Sequence, residues 1–162
     1  RCVRPCADIV GVQFRNLATV GGSIFGRYGF SDVLTLFLAL DSYVELHKGG
    51  MIPLSEFVKM DYDRDILVRL IVKKTPVVCS YQSVRATRTD FPILTCAAVK
   101  LDGRYRFSIG ARPNKAMLVT DTEHMLVGGL SAEKTEAFAT WMQTQIRREA
   151  ISEEVHSTAA IW

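Results

Sequence analysis

The sequence predicts an α+β protein that combines helices with antiparallel strands. Alternating strand patterns are joined by tight turns at Gly49-Gly50 and Asp102-Gly103, which are typical of hairpins. Apolar patterns with helical spacing and capping residues occupy residues 32–40 and 132–149. The chain has 162 residues, of which 48% are hydrophobic and 23% charged, so it is long enough to bury a core.

The first part of the chain is predicted to alternate between helices and strands. A helix is expected to end near Val10, since Gly11 is a typical stop signal. Either Ser31 or Asp32 is a good N-cap for the next helix, which is apolar nearly all round and should be buried. The remaining predicted elements are strands at 43–47, 51–54 and 66–72 and a single helical turn at 54–57.

A change in composition at residues 73–76 predicts a boundary between two domains, 1–74 and 75–162. Beyond it, strands at 77–84, 91–101 and 105–109 are expected to form a three-stranded antiparallel meander. Two helices should follow: a short one at 121–127, stopped by glycines, and a longer one at 132–149. The second domain is therefore predicted to be a small sheet backed by helices.

Composition excludes several classes of partner. The net charge of +3 gives no reason to expect nucleic acid, and no apolar run approaches the roughly 20 residues that span a bilayer. Cysteines and histidines do not show metal-ligand spacing, so no metal site is predicted. We expect Cys2, Cys6, Cys79 and Cys96 to be reduced thiols in a cytoplasmic protein. The chain is expected to begin inside a longer natural protein, because it lacks an initiator methionine.

Residues 14–24 contain the clearest functional pattern. The pair Gly21-Gly22 follows Thr19-Val20 and precedes Ser23. Glycines allow the backbone to turn sharply, and successive N–H groups in such a loop can bind a phosphate. An isolated glycine pair is usually only a turn. Arg15 has two interpretations, contact with a cofactor or support of the loop through backbone carbonyls.

Residues 13–24, together with Asp32 and the apolar segment after it, resemble the FAD-binding subunit of the molybdenum hydroxylases, the xanthine dehydrogenase and carbon monoxide dehydrogenase family. The family loop reads IRN-x-A-T-x-G-G-N-I, and this chain has Ser23 where asparagine is usual. The resemblance implies that FAD is bound by Thr19, Val20, Gly21, Gly22 and Ser23. It also implies that the Asp32 carboxylate hydrogen-bonds the hydroxyl-bearing chain of the cofactor. The alternative role of Asp32 is helix capping alone.

The resemblance continues through the rest of the chain and predicts two further cofactor residues. Leu67 aligns with a family leucine that packs near the flavin, although a core position is an equally good interpretation. Gln82 stands where the family often has a lysine near the flavin ring. Loss of that positive charge should lower the reduction potential of the flavin. No residue is predicted to be catalytic. The implied fold is the second half of an FAD-binding domain followed by the small sheet domain.

By resemblance, the function is that of an oxidoreductase subunit that passes electrons through FAD to NAD or another acceptor. Its expected partners are a large molybdopterin-binding subunit and a small 2Fe-2S subunit. A non-catalytic assembly module that has lost FAD is the main alternative, and a cell-wall UDP-sugar enolpyruvyl reductase is a third. An N-terminal subdomain of the family is expected to be missing, which would leave FAD binding weak.

Overall fold

The computed structural model describes residues 9–62, 64–111 and 115–159, with side chains as far as residue 148. The chain forms two compact units that divide between Thr120 and Asp121. The helix predicted for residues 2–10 lies mostly outside the described residues. The domain boundary predicted near residue 74 stays a prediction.

Five helices and seven strands make up the described elements, which confirms the predicted α+β class. In chain order they are α1 (Val12–Leu17), α2 (Val20–Phe25), α3 (Asp32–Ala39), β1 (Ser42–Leu46), β2 (Gly50–Pro53), α4 (Leu54–Phe57), β3 (Leu67–Val72), β4 (Val78–Val84), β5 (Leu94–Leu101), β6 (Arg104–Gly110), β7 (Met117–Thr120) and α5 (Ala132–Ala159).

The first sheet is antiparallel, with strand order β2-β1-β3. Tyr43 of β1 pairs with Pro53 on one side and with Ile71 on the other. The hairpin turn predicted between β1 and β2 is present, and Gly50 there has a φ of 69°, a conformation that glycine adopts without strain.

The second sheet is also antiparallel, with strand order β4-β5-β6-β7. The sheet therefore has four strands, and the prediction of a three-stranded meander is wrong. The added strand β7 has only four residues and pairs with β6, for example through Phe107 and Val119. The first three residues of β7 are all apolar, so the alternation that predicts a half-buried strand is missing.

Helix α3 is buried against both sheets. Leu34 and Leu38 belong to a cluster with Val44 of β1, whereas Leu36 belongs to a second cluster with Val99 of β5. The helix is almost entirely apolar, as predicted, because each of its sides meets a different set of core residues. Ser31 is its N-cap and accepts a hydrogen bond from the backbone N–H of Leu34 at 3.1 Å.

A close approach joins the second sheet to the region around α3. The Thr35 and Thr95 hydroxyls are 2.9 Å apart and fully buried. A methyl group at Gly110 would lie 2.6 Å from both the Thr95 hydroxyl and the Gly29 carbonyl. Gly110 is therefore needed for its lack of a side chain rather than for its backbone freedom.

Two sequence predictions are wrong in local structure. Residues 14–24 do not form a continuous loop, because they fold into α1 and α2. Residues 121–127 form turns rather than a helix. The Asp121 carboxylate accepts from the N–H groups of Met125 and Leu126, both at 2.9 Å, and His124 has a φ of 56°, which a helix does not allow.

The second unit contains α5. The Ser131 hydroxyl accepts from the N–H of Lys134 at 3.2 Å, so the predicted cap is present. The helix extends to Ala159, ten residues beyond the predicted end. Within this unit, the Trp141 indole N–H donates to the Glu123 carboxylate at 2.9 Å.

The prediction that all four cysteines are reduced thiols is wrong. Cys79 is disulfide-bonded, whereas Cys96 is a free thiol whose pKa is raised by burial. Sequence spacing cannot show which cysteines the fold brings together. In the described part of the chain, no group of three or more potential metal ligands occurs, and no helix has the length and apolarity to cross a bilayer.

Candidate functional site

The glycine pair lies in the first turn of α2, and Thr19 is the N-cap of this helix. The Thr19 hydroxyl accepts from the N–H of Gly22 at 3.0 Å, and the Ser23 hydroxyl donates to the Thr19 carbonyl at 2.9 Å. The N–H groups of Val20 and Gly21 have no acceptor among the described residues. Such unpaired donors at the start of a helix suit an anionic group.

A cavity of about 490 Å³ opens beside the start of α2 and the start of α3. This volume lies within the range of roughly 300–1,000 Å³ that is typical of small-molecule sites. Its lining is mostly apolar, with a few polar groups. The lining residues are Ile9, Phe14, Arg15, Ala18, Thr19, Val20, Gly22, Ser23, Tyr28, Phe30, Ser31, Asp32, Val33 and Phe91.

Asp32 is the one carboxylate in this lining, and only 4% of its side chain is exposed. Its Oδ1 atom accepts a hydrogen bond from the Tyr81 hydroxyl at 2.5 Å and forms an ion pair with the Arg85 guanidinium. Its Oδ2 atom has no partner among the described residues. Because an ionised carboxylate only accepts hydrogen bonds, Oδ2 is suited to a hydroxyl donor in the cavity.

Arg85 also fixes the connection between β4 and β5. Its guanidinium donates to the Asp90 carbonyl at 2.7 Å. The Asp90 carboxylate in turn accepts from the N–H of Thr87 at 3.0 Å. Arg85 therefore links the carboxylate of Asp32 to the segment that precedes Phe91.

Four aromatic rings line the cavity in a connected row. Tyr28 and Phe30 are stacked, with ring centres 5.2 Å apart and planes within 13°. Phe91 lies 4.9 Å from Phe30 and 5.9 Å from Phe14. All four side chains remain at least 41% exposed. This aromatic row offers a flat ring an apolar surface to pack on.

Of the two predicted roles of Arg15, the structure shows support of the backbone. Its guanidinium donates to the Ile9 carbonyl at 2.8 Å, so it supports the segment before α1. It also lines the cavity. The structure therefore supports the backbone role directly and keeps the cofactor role open.

The cavity brings together five of the eight predicted cofactor residues: Thr19, Val20, Gly22, Ser23 and Asp32. Gly21, Leu67 and Gln82 are not part of its lining. The Leu67 side chain lies 3.5 Å from the position of a methyl group on Gly21, so these two residues pack against each other. Gln82 is exposed and lies on the face of β4 opposite Tyr81. The cofactor roles of all eight residues stay predictions.

Sequence reasoning missed Tyr81, Arg85 and the aromatic row. Tyr81 and Arg85 come 49 and 53 residues after Asp32, so spacing along the chain gives no sign that they meet. Two aromatic residues had a weak signal: Tyr28 and Phe30 lie in a short glycine-containing segment between predicted elements, whereas Phe91 was predicted to begin a strand. Aromatic side chains in such connections favour a surface site over a core.

The fold and the cavity define a cofactor-binding domain with donors for an anion, an acceptor for hydroxyls and a surface for a flat ring. Residues 3–75 match the family described as the FAD binding domain in molybdopterin dehydrogenase. The match confirms the resemblance to the FAD-binding subunit of the molybdenum hydroxylases, a family whose cofactor is FAD.

Solved structures of low sequence identity share this fold. Carbon monoxide dehydrogenase from Hydrogenophaga pseudoflava superposes with a TM-score of 0.70 at 19% identity, over 81% of this chain and 51% of that chain. Reconstituted CO dehydrogenase from Oligotropha carboxidovorans gives 0.64 at 17% identity, over 76% and 48%. Quinoline 2-oxidoreductase from Pseudomonas putida 86 gives 0.61 at 18% identity, over 71% and 45%. The predicted fold is thereby confirmed.

Among curated proteins, the chain is similar to the uncharacterized protein YgfM of Escherichia coli strain K12 and of strain O157:H7. Each is 25% identical over 134 residues, which is 82% of this chain. The chain spans about half, 51%, of the length of these relatives.

Proposed function

We propose that this chain is the FAD-binding, electron-transferring part of an oxidoreductase of the molybdenum hydroxylase family. FAD accepts electrons from iron–sulfur clusters and delivers them to NAD or another acceptor, which is the chemistry that the cofactor supplies when bound. The proposed partners are a molybdopterin-binding large subunit and a 2Fe-2S small subunit. The proposed location is the cytoplasm.

The donors and acceptors of the cavity fit the parts of FAD. The unpaired N–H groups of Val20 and Gly21 and the nearby Arg15 suit a pyrophosphate. The free Oδ2 of Asp32 suits the hydroxyls of the ribityl chain. The aromatic row suits one of the two flat ring systems. In this proposal the protein binds and orients FAD, and no side chain exchanges a proton with the substrate of the partner subunit.

One observation carries the proposal most directly. The Asp32 carboxylate, almost fully buried, faces a cavity with one oxygen left unpaired by the described residues. An ionised carboxylate oxygen that lines a cavity and receives no donor from the protein can accept a hydrogen bond from a ligand hydroxyl. The match of residues 3–75 to an FAD-binding family indicates which hydroxyl-bearing ligand to test.

FAD binding is the first test. We would titrate the 162-residue chain with FAD from micromolar to millimolar concentrations and follow flavin fluorescence and heat of binding. FMN and ADP, each of which lacks one half of FAD, serve as matched ligands. Saturable binding that is tightest for FAD supports the proposal. If FAD binds no better than ADP and FMN, the chain is not an FAD-binding module, and the non-catalytic alternative is favoured.

Electron transfer needs a separate test, because binding alone does not establish it. The FAD-loaded chain would be mixed with reduced molybdopterin and iron–sulfur subunits of a family member, and the visible absorbance of the flavin followed. Bleaching by the reduced partners, and its recovery on addition of NAD, is the expected result. A flavin that stays oxidised in the presence of reduced partners would contradict the electron-transfer role.

A further inference from the structure

We propose that Arg85 is a positioning residue of the cavity, which acts through Asp32 and through the connection between β4 and β5. Its role in cofactor binding rests on the proposed FAD function. Its role in shaping the cavity does not, since that follows from the protein structure alone.

The first step is the geometry of the Arg85 side chain. One of its terminal nitrogens pairs with Oδ1 of Asp32, and the other donates to the Asp90 carbonyl at 2.7 Å. Only 12% of the Arg85 side chain is exposed, although the residue directly follows β4, an edge strand of the second sheet. A guanidinium with a fixed fork of donors is suited to hold two acceptors in one relative position.

The second step is the effect on Asp32. Arg85 and Tyr81 both approach Oδ1, which directs the other oxygen of the carboxylate toward the cavity. The positive charge compensates the buried negative charge and keeps the group an acceptor. Oriented in this way, Asp32 recognises a hydroxyl and repels a phosphate. The pair therefore helps to decide which part of a dinucleotide lies at the start of α3.

The third step concerns the wall of the cavity. The Arg85–Asp90 bond closes a turn that also contains the Thr87–Asp90 hydrogen bonds. Phe91 follows this turn directly and lies between the rings of Phe14 and Phe30. By holding the turn against the start of α3, Arg85 places Phe91 in the aromatic row.

Hydrogen exchange in the ligand-free protein tests the shaping role. The variant is Arg85→Gln, and the matched control is Arg88→Gln, since Arg88 is exposed in the same connection and has no described partner. We expect the Thr87 and Asp90 amides to exchange about tenfold faster in R85Q, because a charge-assisted hydrogen bond is lost. R88Q should change the exchange rates of these two amides by less than about twofold. Equal exchange in both variants would overturn the proposal.

FAD affinity in a double-mutant cycle tests whether Arg85 acts through Asp32. We expect Arg85→Gln to weaken FAD binding about tenfold in the wild-type background and less than about twofold in the Asp32→Asn background. Arg85→Lys should recover part of the affinity, since it retains the charge and loses the fork. An undiminished effect of Arg85→Gln in the D32N background would show that Arg85 does not act through Asp32. A wild-type chain that binds no FAD would contradict the proposed function, and the exchange experiment would still decide the shaping role.

Discussion

The two halves of α3 differ in the polarity of the side chains that they bury. The first half, with its cap, buries the polar side chains of Ser31, Asp32 and Thr35 beside one apolar residue, Leu34. The second half buries only apolar side chains: Leu36, Leu38 and Ala39. The first half lies beside the cavity, and the second half lies in the core between the sheets. One helix therefore serves as a site wall at one end and as core at the other.

This difference shows how a buried helix can carry function without losing its place in the fold. Each buried polar group of the first half has a partner. Ser31 accepts from the N–H of Leu34, the Thr35 hydroxyl contacts that of Thr95, and Asp32 pairs with Arg85. These bonds compensate the cost of removing polar groups from water but add little beyond that. We therefore expect stability to depend mainly on the second half and ligand recognition mainly on the first.

The largest expected effect comes from the apolar half. Leu36→Ala should lower the free energy of unfolding by about 2–5 kcal/mol, because it leaves a cavity where the surroundings are close-packed. Urea unfolding followed by circular dichroism measures this change. Leu36→Met, which conserves volume, should cost less than about 1.5 kcal/mol. The FAD affinity of the folded variant should stay within about twofold of that of the wild-type chain. A larger loss would show that the apolar half also contributes to ligand recognition.

A substitution at Gly110 tests the packing around Thr35. Gly110→Ala should cost about 1–3 kcal/mol, because the added methyl group overlaps the Thr95 hydroxyl and the Gly29 carbonyl. Gly21→Ala is the control for stability, since its methyl group would meet only the Leu67 side chain at 3.5 Å and alanine favours a helix. Thermal unfolding of both variants would compare them. If G110A is as stable as G21A, the close approach does not constrain the fold.

Asp32→Asn tests recognition at the polar half. We expect FAD affinity to fall about tenfold, because the amide is a weaker acceptor and leaves Arg85 without its counter-charge. The same change at Asp102, an exposed residue of the β5–β6 turn, should leave affinity unaffected. Calorimetric titration of both variants measures the difference. Equal affinities would place the hydroxyl contact elsewhere in the cavity.

Ser31→Ala should have the smallest effect, about 1 kcal/mol on unfolding, since it removes the N-cap of α3. The Ser31 hydroxyl also donates to the Ser23 carbonyl at 3.2 Å, so the variant loosens α2 against α3. Ser83→Ala, at an exposed position of β4, should change stability by less than about 0.5 kcal/mol. A cost at Ser31 as large as that at Leu36 would mean that the polar half contributes more to the core than its burial suggests.

Local chemistry made much of the fold predictable. The glycine turn before β2, the Ser31 and Ser131 caps and the alternation of β1 each depend on residues close in sequence. Prediction failed where two local signals competed. The glycines after Thr19 suggest a loop, yet Thr19 caps a helix that begins at the next residue. Asp121 suggests a helix cap, yet its carboxylate stabilises a turn.

The candidate site was predictable only on one side. Thr19, Ser23 and Asp32 lie within a short stretch whose pattern indicates a cofactor loop. The rest of the site includes Phe91, which lines the cavity, and Tyr81 and Arg85, which contact Asp32. The position of these residues depends on the second sheet packing on α3. No local pattern encodes that packing, so the partners of Asp32 required the three-dimensional structure.

The hydroxyl contact between Thr35 and Thr95 has a consequence for folding kinetics. It joins residues that are 60 positions apart, and neither half of α3 has a complete environment before such distant segments meet. Closing long loops costs entropy before any contact repays it, so topologies of this kind fold slowly. The helix at the centre of residues 9–120 should consequently become protected late, after the local hairpins have formed.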